Sequence, residues 1–181
     1  LDEPLGALDK KLREETQFEL VRIQEELGVT FVVVTHDQEE AMTLATRIGV
    51  MDQGEIVQVG EPRDIYEFPQ TRFVAAFVGS VNLFEGKISR DEETRTGVRS
   101  AEVEAELTIG HAISCVLNQS VAYAIRPEKI RLTREKPAQE TNVSAGIVED
   151  IAYLGGMSVY VIRLTSGKII RVTQPNTDRH E

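Results

Sequence analysis

The sequence predicts an α/β segment followed by a mainly β segment. In the first part, stretches with helical periodicity alternate with a continuous run of β-branched and aromatic residues at 31–34, as in an open α/β sheet. Around Gly79 the helical periodicity fades, and short strand-like runs alternate with turns, a pattern typical of a small barrel or sandwich. We therefore predict two domains, residues 1–77 and residues 78–181.

Residues 7–30 predict the first long helix. Side chains recur there at helical spacing, at Leu12, Thr16, Leu20, Ile23 and Leu27. Asp9 can cap the start of this helix, and Gly28 can end it. The apolar run at 31–34 follows without alternating polar residues, which predicts a strand covered on both faces.

Further elements are predicted before residue 80: a helix at 37–47, a hairpin at 48–60 and short helices at 61–69 and 71–79. The hairpin prediction rests on two apolar runs around Asp52, Gln53 and Gly54. The first short helix begins near Pro62, a residue that is tolerated in a first helical turn.

Short strands are predicted throughout the second part of the chain. The candidates are residues 82–89, 111–117, 121–127, 129–133, 144–154, 157–164 and 167–173. The polar stretch at 89–106 predicts a loop or a frayed hairpin with a solvated acidic face. The last residues do not resemble the end of a natural domain, so we expect the β domain to be truncated there.

Composition excludes several classes of function. The formal net charge of −10 argues against a nucleic-acid binder, because affinity for duplexes comes mainly from Lys and Arg. It also argues against docking on an anionic membrane surface. A single cysteine, Cys115, excludes an internal disulfide framework, and we interpret it as a small buried apolar residue.

Two groups of polar residues occupy positions at which an α/β sheet binds ligands. His36 follows the run at 31–34, and Asp2 and Glu3 would also lie at a strand end if a strand preceded them. Mg²⁺ prefers oxygen ligands and keeps several waters, so one carboxylate can hold it, and a neighbouring carboxylate can orient or deprotonate a water. Each feature alone is common on protein surfaces; their combination predicts a phosphate and metal site.

The segments LDEPLGALD, VVVTHDQEEAMTLATRIGVMDQGEIVQVGEP and IYEFPQTRFVAAFVGSVN resemble the nucleotide-binding subunit of an ABC importer, a P-loop NTPase. The resemblance implies that LDEP is the end of the Walker B strand, with Asp2 holding Mg²⁺ and Glu3 as general base. It implies that His36 contacts the γ-phosphate of ATP. It also implies a D-loop that touches the opposite subunit of a homodimer, formed by Leu5, Gly6, Ala7, Leu8 and Asp9.

The sequence lacks two motifs that this family requires, a phosphate-binding G-x-x-x-x-G-K-[ST] loop and a Leu-Ser-Gly-Gly-Gln type signature. Gly49 and Gly54 have the glycine spacing, but Glu55 and Ile56 replace the Lys and the hydroxyl, so we interpret this stretch as a hairpin turn. Both motifs lie upstream of LDEP in the family. We therefore expect a C-terminal fragment that is inactive by itself.

The second part resembles the accessory β domain of these importers, a small barrel of the oligonucleotide/oligosaccharide-binding (OB) type called TOBE. In it, Arg126, Lys129 and Arg131 could form a small-anion or regulatory-ligand site, although we favour a turn with solvent-facing charges. A regulatory ligand-binding β domain is therefore an alternative function for the chain.

Three further segments of the sequence indicate which solute is transported. GSVNLFEGKI, AYLGGMSVYVIRLTSGKII and QPNTDRH resemble putrescine/spermidine importers, putrescine in particular, although iron, sulfate and sugar importers share the general pattern. The resemblance implies ATP and Mg²⁺ as cofactors, membrane-spanning permease subunits and a periplasmic solute-binding protein as partners. It also implies a peripheral position on the cytoplasmic face of the bacterial inner membrane.

Overall fold

The structure, a computed structural model, describes residues 1–110, 113–138 and 141–177. The chain divides into two compact units, Leu1–Gly79 and Ser80–Glu181. The elements of the first unit are α1 (Lys10–Leu27), α2 (Gln38–Leu44), β1 (Ile48–Asp52), β2 (Glu55–Gly60), α3 (Pro62–Glu67) and α4 (Arg72–Phe77). Those of the second unit are the strands β3 (Asn82–Glu92), β4 (Arg95–Arg99), β5 (Leu107–Ile109), β6 (Ser120–Ile125), β7 (Gly146–Tyr153), β8 (Met157–Leu164) and β9 (Ile169–Pro175), with a 3-10 turn at Pro127–Lys129.

Helix α1 begins and ends where its capping residues predict. The Asp9 carboxylate accepts a hydrogen bond from the Leu12 N–H at 3.1 Å, which satisfies one of the free donors of the first turn. Gly28 adopts a left-handed conformation with φ 62°, and its N–H donates to the Gln24 carbonyl. The predicted apolar stripe is not the buried face, however, because Leu12 and Leu27 are exposed.

The prediction of a covered strand at residues 31–34 was wrong for this chain. Only Val34 forms a β-bridge, a parallel one with Asp2. Val32 and Val34 are 74% and 60% exposed. Within the described part of the chain, the β-bridge partner of this run is Asp2 alone, so alternate side chains face solvent.

The predicted hairpin is confirmed as β1 and β2, which pair antiparallel. Gln53 and Gly54 both have positive φ, 49° and 86°, as a tight two-residue turn requires. Apolar residues of the hairpin, of α3, of α4 and of the residue that caps α4 form the core of the first unit, namely Val50, Ile65, Val74 and Val78. The glycine spacing that resembles a phosphate-binding loop therefore belongs to this hairpin, as predicted.

The second unit contains two antiparallel sheets, in the strand orders β5-β4-β3-β6 and β7-β8-β9. Both sheets contribute to one apolar core, formed by Phe84, Ile88, Val98, Val103, Leu107, Ile162, Leu164, Ile170 and Val172. The predicted order of an α/β segment followed by a mainly β segment is confirmed.

Two of the predicted strands are irregular instead. Residues 113–117 of the candidate at 111–117 form no strand, and residues 111–112 lie outside the described part. There the Gln119 N–H bonds the Val116 carbonyl in a turn. The candidate at 129–133 begins on the last residue of the 3-10 turn, in which the Lys129 N–H donates to the Arg126 carbonyl. Apolar residues in both segments pack on the core, so their pattern reflects burial and not strand pairing.

The stretch at 89–106 includes a hairpin, one of the two alternatives predicted for it. The end of β3 pairs with β4 across a turn between Glu92 and Arg95. Sequence reasoning missed the short strand β5, which pairs with β4. In the described residues, no helix is long and apolar enough to span a membrane.

Candidate functional site

Two short backbone segments bring the predicted acid and histidine to one place. The Val34 N–H donates to the Leu1 carbonyl at 2.9 Å, and the Glu3 N–H donates to the Val34 carbonyl at 2.8 Å. The two segments therefore run parallel and end side by side. Glu3 directly follows Asp2 and His36 lies two residues after Val34, so both side chains lie at the same end of the paired segments.

The Glu3 and His36 side chains are in direct contact. Glu3 Oε1 lies 2.7 Å from His36 Nδ1. The side chains are 54% and 78% exposed, so the pair is open to solvent. Because an ionised carboxylate can only accept hydrogen bonds, Nδ1 faces Glu3 as an N–H donor, which leaves Nε2 as the ring nitrogen not engaged by Glu3. The pair can thus present one imidazole nitrogen and one carboxylate oxygen to a ligand.

Asp2 lies beside this pair in sequence but not in a ligand cluster with it. Among the described residues, no three His, Cys, Asp or Glu side chains lie close enough together to hold a metal ion. The Asp2 residue is exposed, and its carboxylate has no hydrogen-bond partner in the part of the chain that the structure describes. A single free carboxylate fits Mg²⁺, which retains several waters, and does not fit a metal caged by protein alone.

The predicted D-loop forms a tight turn between Glu3 and α1. Leu5 is buried, and the Leu8 N–H donates to its carbonyl at 3.1 Å. Gly6 and Ala7 are exposed between these two positions. Asp9 ends the loop as the N-cap of α1, so its carboxylate is engaged within its own helix. The exposed part of the loop available to a partner is therefore short.

Sequence reasoning missed the polar residues that surround this site. The Arg13 Nη1 donates to Asp37 Oδ2 at 2.7 Å, and its Nη2 donates to the Leu8 carbonyl at 3.2 Å. Thr35 donates to Glu40 Oε2, and the Asp37 carboxylate caps α2. The position of Asp37 before a helical run was a detectable capping signal. The ion pair between positions 13 and 37 had no local signal.

The predicted anion-binding residues of the second unit are only partly solvent-facing. Lys129 and Arg131 are exposed, but Arg126 is buried, which corrects the interpretation of all three as surface charges. The Arg126 Nη1 donates to the Ser80 carbonyl at 3.3 Å, so its guanidinium bonds backbone. An open cavity of about 620 Å³ lies elsewhere in this unit, on β3 and its neighbours, and none of the three residues lines it.

Cys115 is half-buried against the core of the second unit, close to its predicted role. Desolvation raises the pKa of the thiol, and the nearby Asp91 carboxylate raises it further. A thiol with a raised pKa holds little thiolate, which is the nucleophilic form. The contact of Cys115 with the core makes it a packing residue.

Comparison with known proteins first defines the class. Residues 123–181 match the protein-family model described as the TOBE domain. The chain as a whole resembles ATP-binding subunits of polyamine ABC importers over nearly its entire length. The resemblance predicted from the sequence motifs is therefore confirmed.

Three curated relatives show how similar the chain is to these subunits. The chain is 51% identical to "Putrescine transport ATP-binding protein PotG" of Escherichia coli strain K12, over 99% of the chain and 48% of that protein. It is 46% identical to "Spermidine/putrescine import ATP-binding protein PotA" of Nostoc sp., over 98% of the chain and 47% of that protein. PotA of Pseudomonas aeruginosa strain UCBPP-PA14 is 43% identical, over 97% and 48%. The chain spans about half the length of the curated relatives it matches.

Proposed function

We propose that this chain is part of an ATP-hydrolysing subunit that energises the import of polyamines, putrescine in particular. The observation that carries the proposal is the 2.7 Å contact between Glu3 and His36 at the ends of two parallel segments. The names of the relatives, which include putrescine transport and spermidine/putrescine import, support the choice of solute.

Each predicted site residue has a distinct role in this proposal. Bound ATP supplies the phosphoryl group, and Mg²⁺ offsets its negative charge. Asp2 would hold the magnesium directly or through water, since its carboxylate is exposed and free in the described structure. Glu3 accepts a proton from the attacking water. His36 would donate Nε2–H to the terminal phosphate, whose oxygens accept hydrogen bonds, while Nδ1–H stays on Glu3, so that both ring nitrogens act as donors when ATP is bound. No residue of this sequence matches a loop that would cradle the remaining phosphates.

The assembly follows from the same proposal. The exposed loop residues Gly6 and Ala7 contact a second copy of the complete subunit. Residues 1–77 belong to the nucleotide-binding domain, and residues 78–181 form the accessory β domain. The subunit docks on permease subunits at the cytoplasmic face of the inner membrane, and a periplasmic protein delivers the solute.

The Glu3→Gln variant of the complete subunit tests the catalytic role. Turnover should fall roughly 10²–10⁴-fold while ATP binding is retained, because the amide keeps the shape of the carboxylate but cannot take a proton. The measurement is phosphate release together with nucleotide binding. Unchanged turnover would remove Glu3 from this role.

Two controls accompany this experiment. Glu25→Gln removes an exposed carboxylate of α1 and should leave turnover unchanged. The 181-residue chain by itself should show no ATP hydrolysis, since its sequence has no phosphate-binding loop. Robust ATP hydrolysis by this chain would contradict the roles proposed for Asp2, Glu3 and His36.

A further inference from the structure

Arg13 joins two segments that flank the Glu3–His36 pair. It lies in the first turn of α1, and its guanidinium is partly buried. Nη1 donates to Asp37 Oδ2 at 2.7 Å, and Nη2 donates to the Leu8 carbonyl at 3.2 Å. Asp37 directly follows His36 in sequence. Leu8 belongs to the loop that begins immediately after Glu3 and Pro4. The Arg13 side chain therefore links the segment that carries Glu3 to the segment that carries His36.

The residues on both sides of His36 are held by a hydrogen-bonded cluster. The Asp37 N–H donates to the Thr35 hydroxyl at 3.0 Å, and that hydroxyl donates to Glu40 Oε2 at 2.6 Å. The Glu40 N–H in turn donates to Asp37 Oδ1 at 3.1 Å. Glu40 is only 2% exposed, so these bonds are shielded from competing water. Hydrogen bonds of Thr35 and Asp37 therefore fix the backbone on both sides of His36.

The Glu3–His36 contact contributes little stability by itself. Both side chains are more than half exposed, and even a fully charged pair with this exposure is typically worth only about 0–1 kcal/mol. That is comparable with thermal energy, so the contact needs support from neighbouring structure. The Arg13–Asp37 bond is partly buried and joins two charged groups, which makes it the stronger of the two links.

We propose that Arg13 is a positioning residue whose guanidinium ties the Leu5–Asp9 loop to Asp37 and thereby holds His36 in contact with Glu3. The inference rests on the proposed function for its catalytic consequence and on the geometry alone for the contact. An arginine suits this place because its planar fork reaches two acceptors at once, whereas a lysine ammonium concentrates its charge at one point.

The first experiment measures turnover in the complete subunit. Arg13→Gln should lower kcat roughly 10–100-fold with little change in KM, because displacing a catalytic group by about 1 Å can cost that much. Arg13→Lys should recover part of the loss. Arg22→Gln is the matched control, since Arg22 lies on the same helix and, within the described part of the chain, pairs with the exposed Glu19 and Glu26. Arg13→Gln activity equal to that of the control would overturn the proposal.

Asp37→Asn tests the same link from the other end. Asparagine still caps a helix but does not form the ion pair, so α2 is retained while Arg13 is released. The expected loss in kcat matches that of Arg13→Gln, and the double variant should be no worse than either single variant. Additive losses would mean that the two residues act separately, which contradicts the proposal. This variant also decides the outcome if Arg13→Gln does not fold.

The second experiment does not depend on ATP hydrolysis. In the histidine-labelled 181-residue chain, long-range ¹H–¹⁵N correlation reports which ring nitrogen of His36 carries the proton, with His36→Gln to assign the signal. The Nδ1–H tautomer should dominate in the parent chain and in Arg22→Gln, and should decrease in Arg13→Gln. An unchanged tautomer in Arg13→Gln overturns the inference. If the complete wild-type subunit has no turnover, the proposed function fails, and this readout still tests the position of His36.

Discussion

At the residue scale, the Glu102 carboxylate shows how one side chain can connect distant parts of the second unit. Its Oε1 accepts from the Lys168 ammonium at 2.7 Å, and its Oε2 accepts from the Glu85 N–H at 2.7 Å. Burial alone would raise the pKa of Glu102. The Lys168 and Glu85 hydrogen bonds and the Lys168 charge outweigh burial, so the pKa is lowered.

A lowered pKa makes the stability of this unit depend on pH. A carboxyl with a depressed pKa stabilises the fold above its unfolded value of about 4.3, and this contribution is lost as pH falls through the folded pKa. Glu102→Gln should therefore destabilise the protein by about 1 kcal/mol at pH 7. The difference from wild type should shrink as pH falls below about 4.

Urea unfolding at pH 7 and in the acidic range measures this effect. The exposed Glu104 supplies the control variant, Glu104→Gln, which should follow the wild-type stability at both pH values. A Glu102→Gln deficit that stays constant down to the lowest pH would show that the carboxylate charge is not the cause.

At the element scale, a single asparagine connects the two sheets of the second unit. Asn82 lies at the start of β3 and is buried. Its amide donates to the Arg171 carbonyl and accepts from the Arg171 N–H, both at 2.8 Å. The Asn82 amide thus pairs with backbone groups of the edge strand β9, as the backbone of a neighbouring strand would. Nothing in the local sequence distinguishes this asparagine from a turn residue.

Removing this link should loosen the sheet pair. Asn82→Ala loses two hydrogen bonds and leaves two backbone groups without their partner, at a cost of about 2 kcal/mol. Thermal or urea unfolding measures the loss, and hydrogen exchange at Arg171 should quicken. Lys87→Ala, an exposed position on the same strand, should change stability by less than about 0.5 kcal/mol. If Asn82→Ala matches that control, the two bonds contribute nothing to stability.

At the scale of the whole molecule, large apolar side chains remain exposed in both units. In the first unit these include Phe18, Leu27 and Val32. In the second they cluster on and beside the edge strand β7, at Ile147, Ile151, Tyr153 and Leu154. Contiguous exposed apolar surface is typical of regions that contact other protein. This agrees with a chain that spans about half the length of its relatives and with the proposed assembly.

The choice of solute is tested on the assembled importer. In cells that lack the complete subunit, its restoration should recover uptake of labelled putrescine, and the Glu3→Gln form should not. Competition with unlabelled spermidine, sulfate, iron and maltose separates the alternatives, since only solutes of the importer reduce the signal. Recovery of sulfate, iron or sugar uptake in place of putrescine would contradict the polyamine proposal.

Local signals predicted the elements and part of the site. The ends of α1 follow from Asp9 and Gly28, and the β1–β2 turn follows from Gly54, because each depends on hydrogen bonds between near neighbours. The proximity of Glu3 and His36 was also predictable, since parallel segments that end together place their next residues together.

Only the tertiary structure decided the remaining features. The Arg13–Asp37 ion pair spans 24 positions and the Asn82–Arg171 bonds span 89, so no sequence pattern marks either one. The exposure of residues 31–34 depends on which segments cover them, and the positions at 113–117 that pack on the core without pairing depend on the sheets around them. The sequence by itself thus determines where helices and turns begin and end. Contacts between residues that are distant in sequence determine which side chains are buried, paired and held in place.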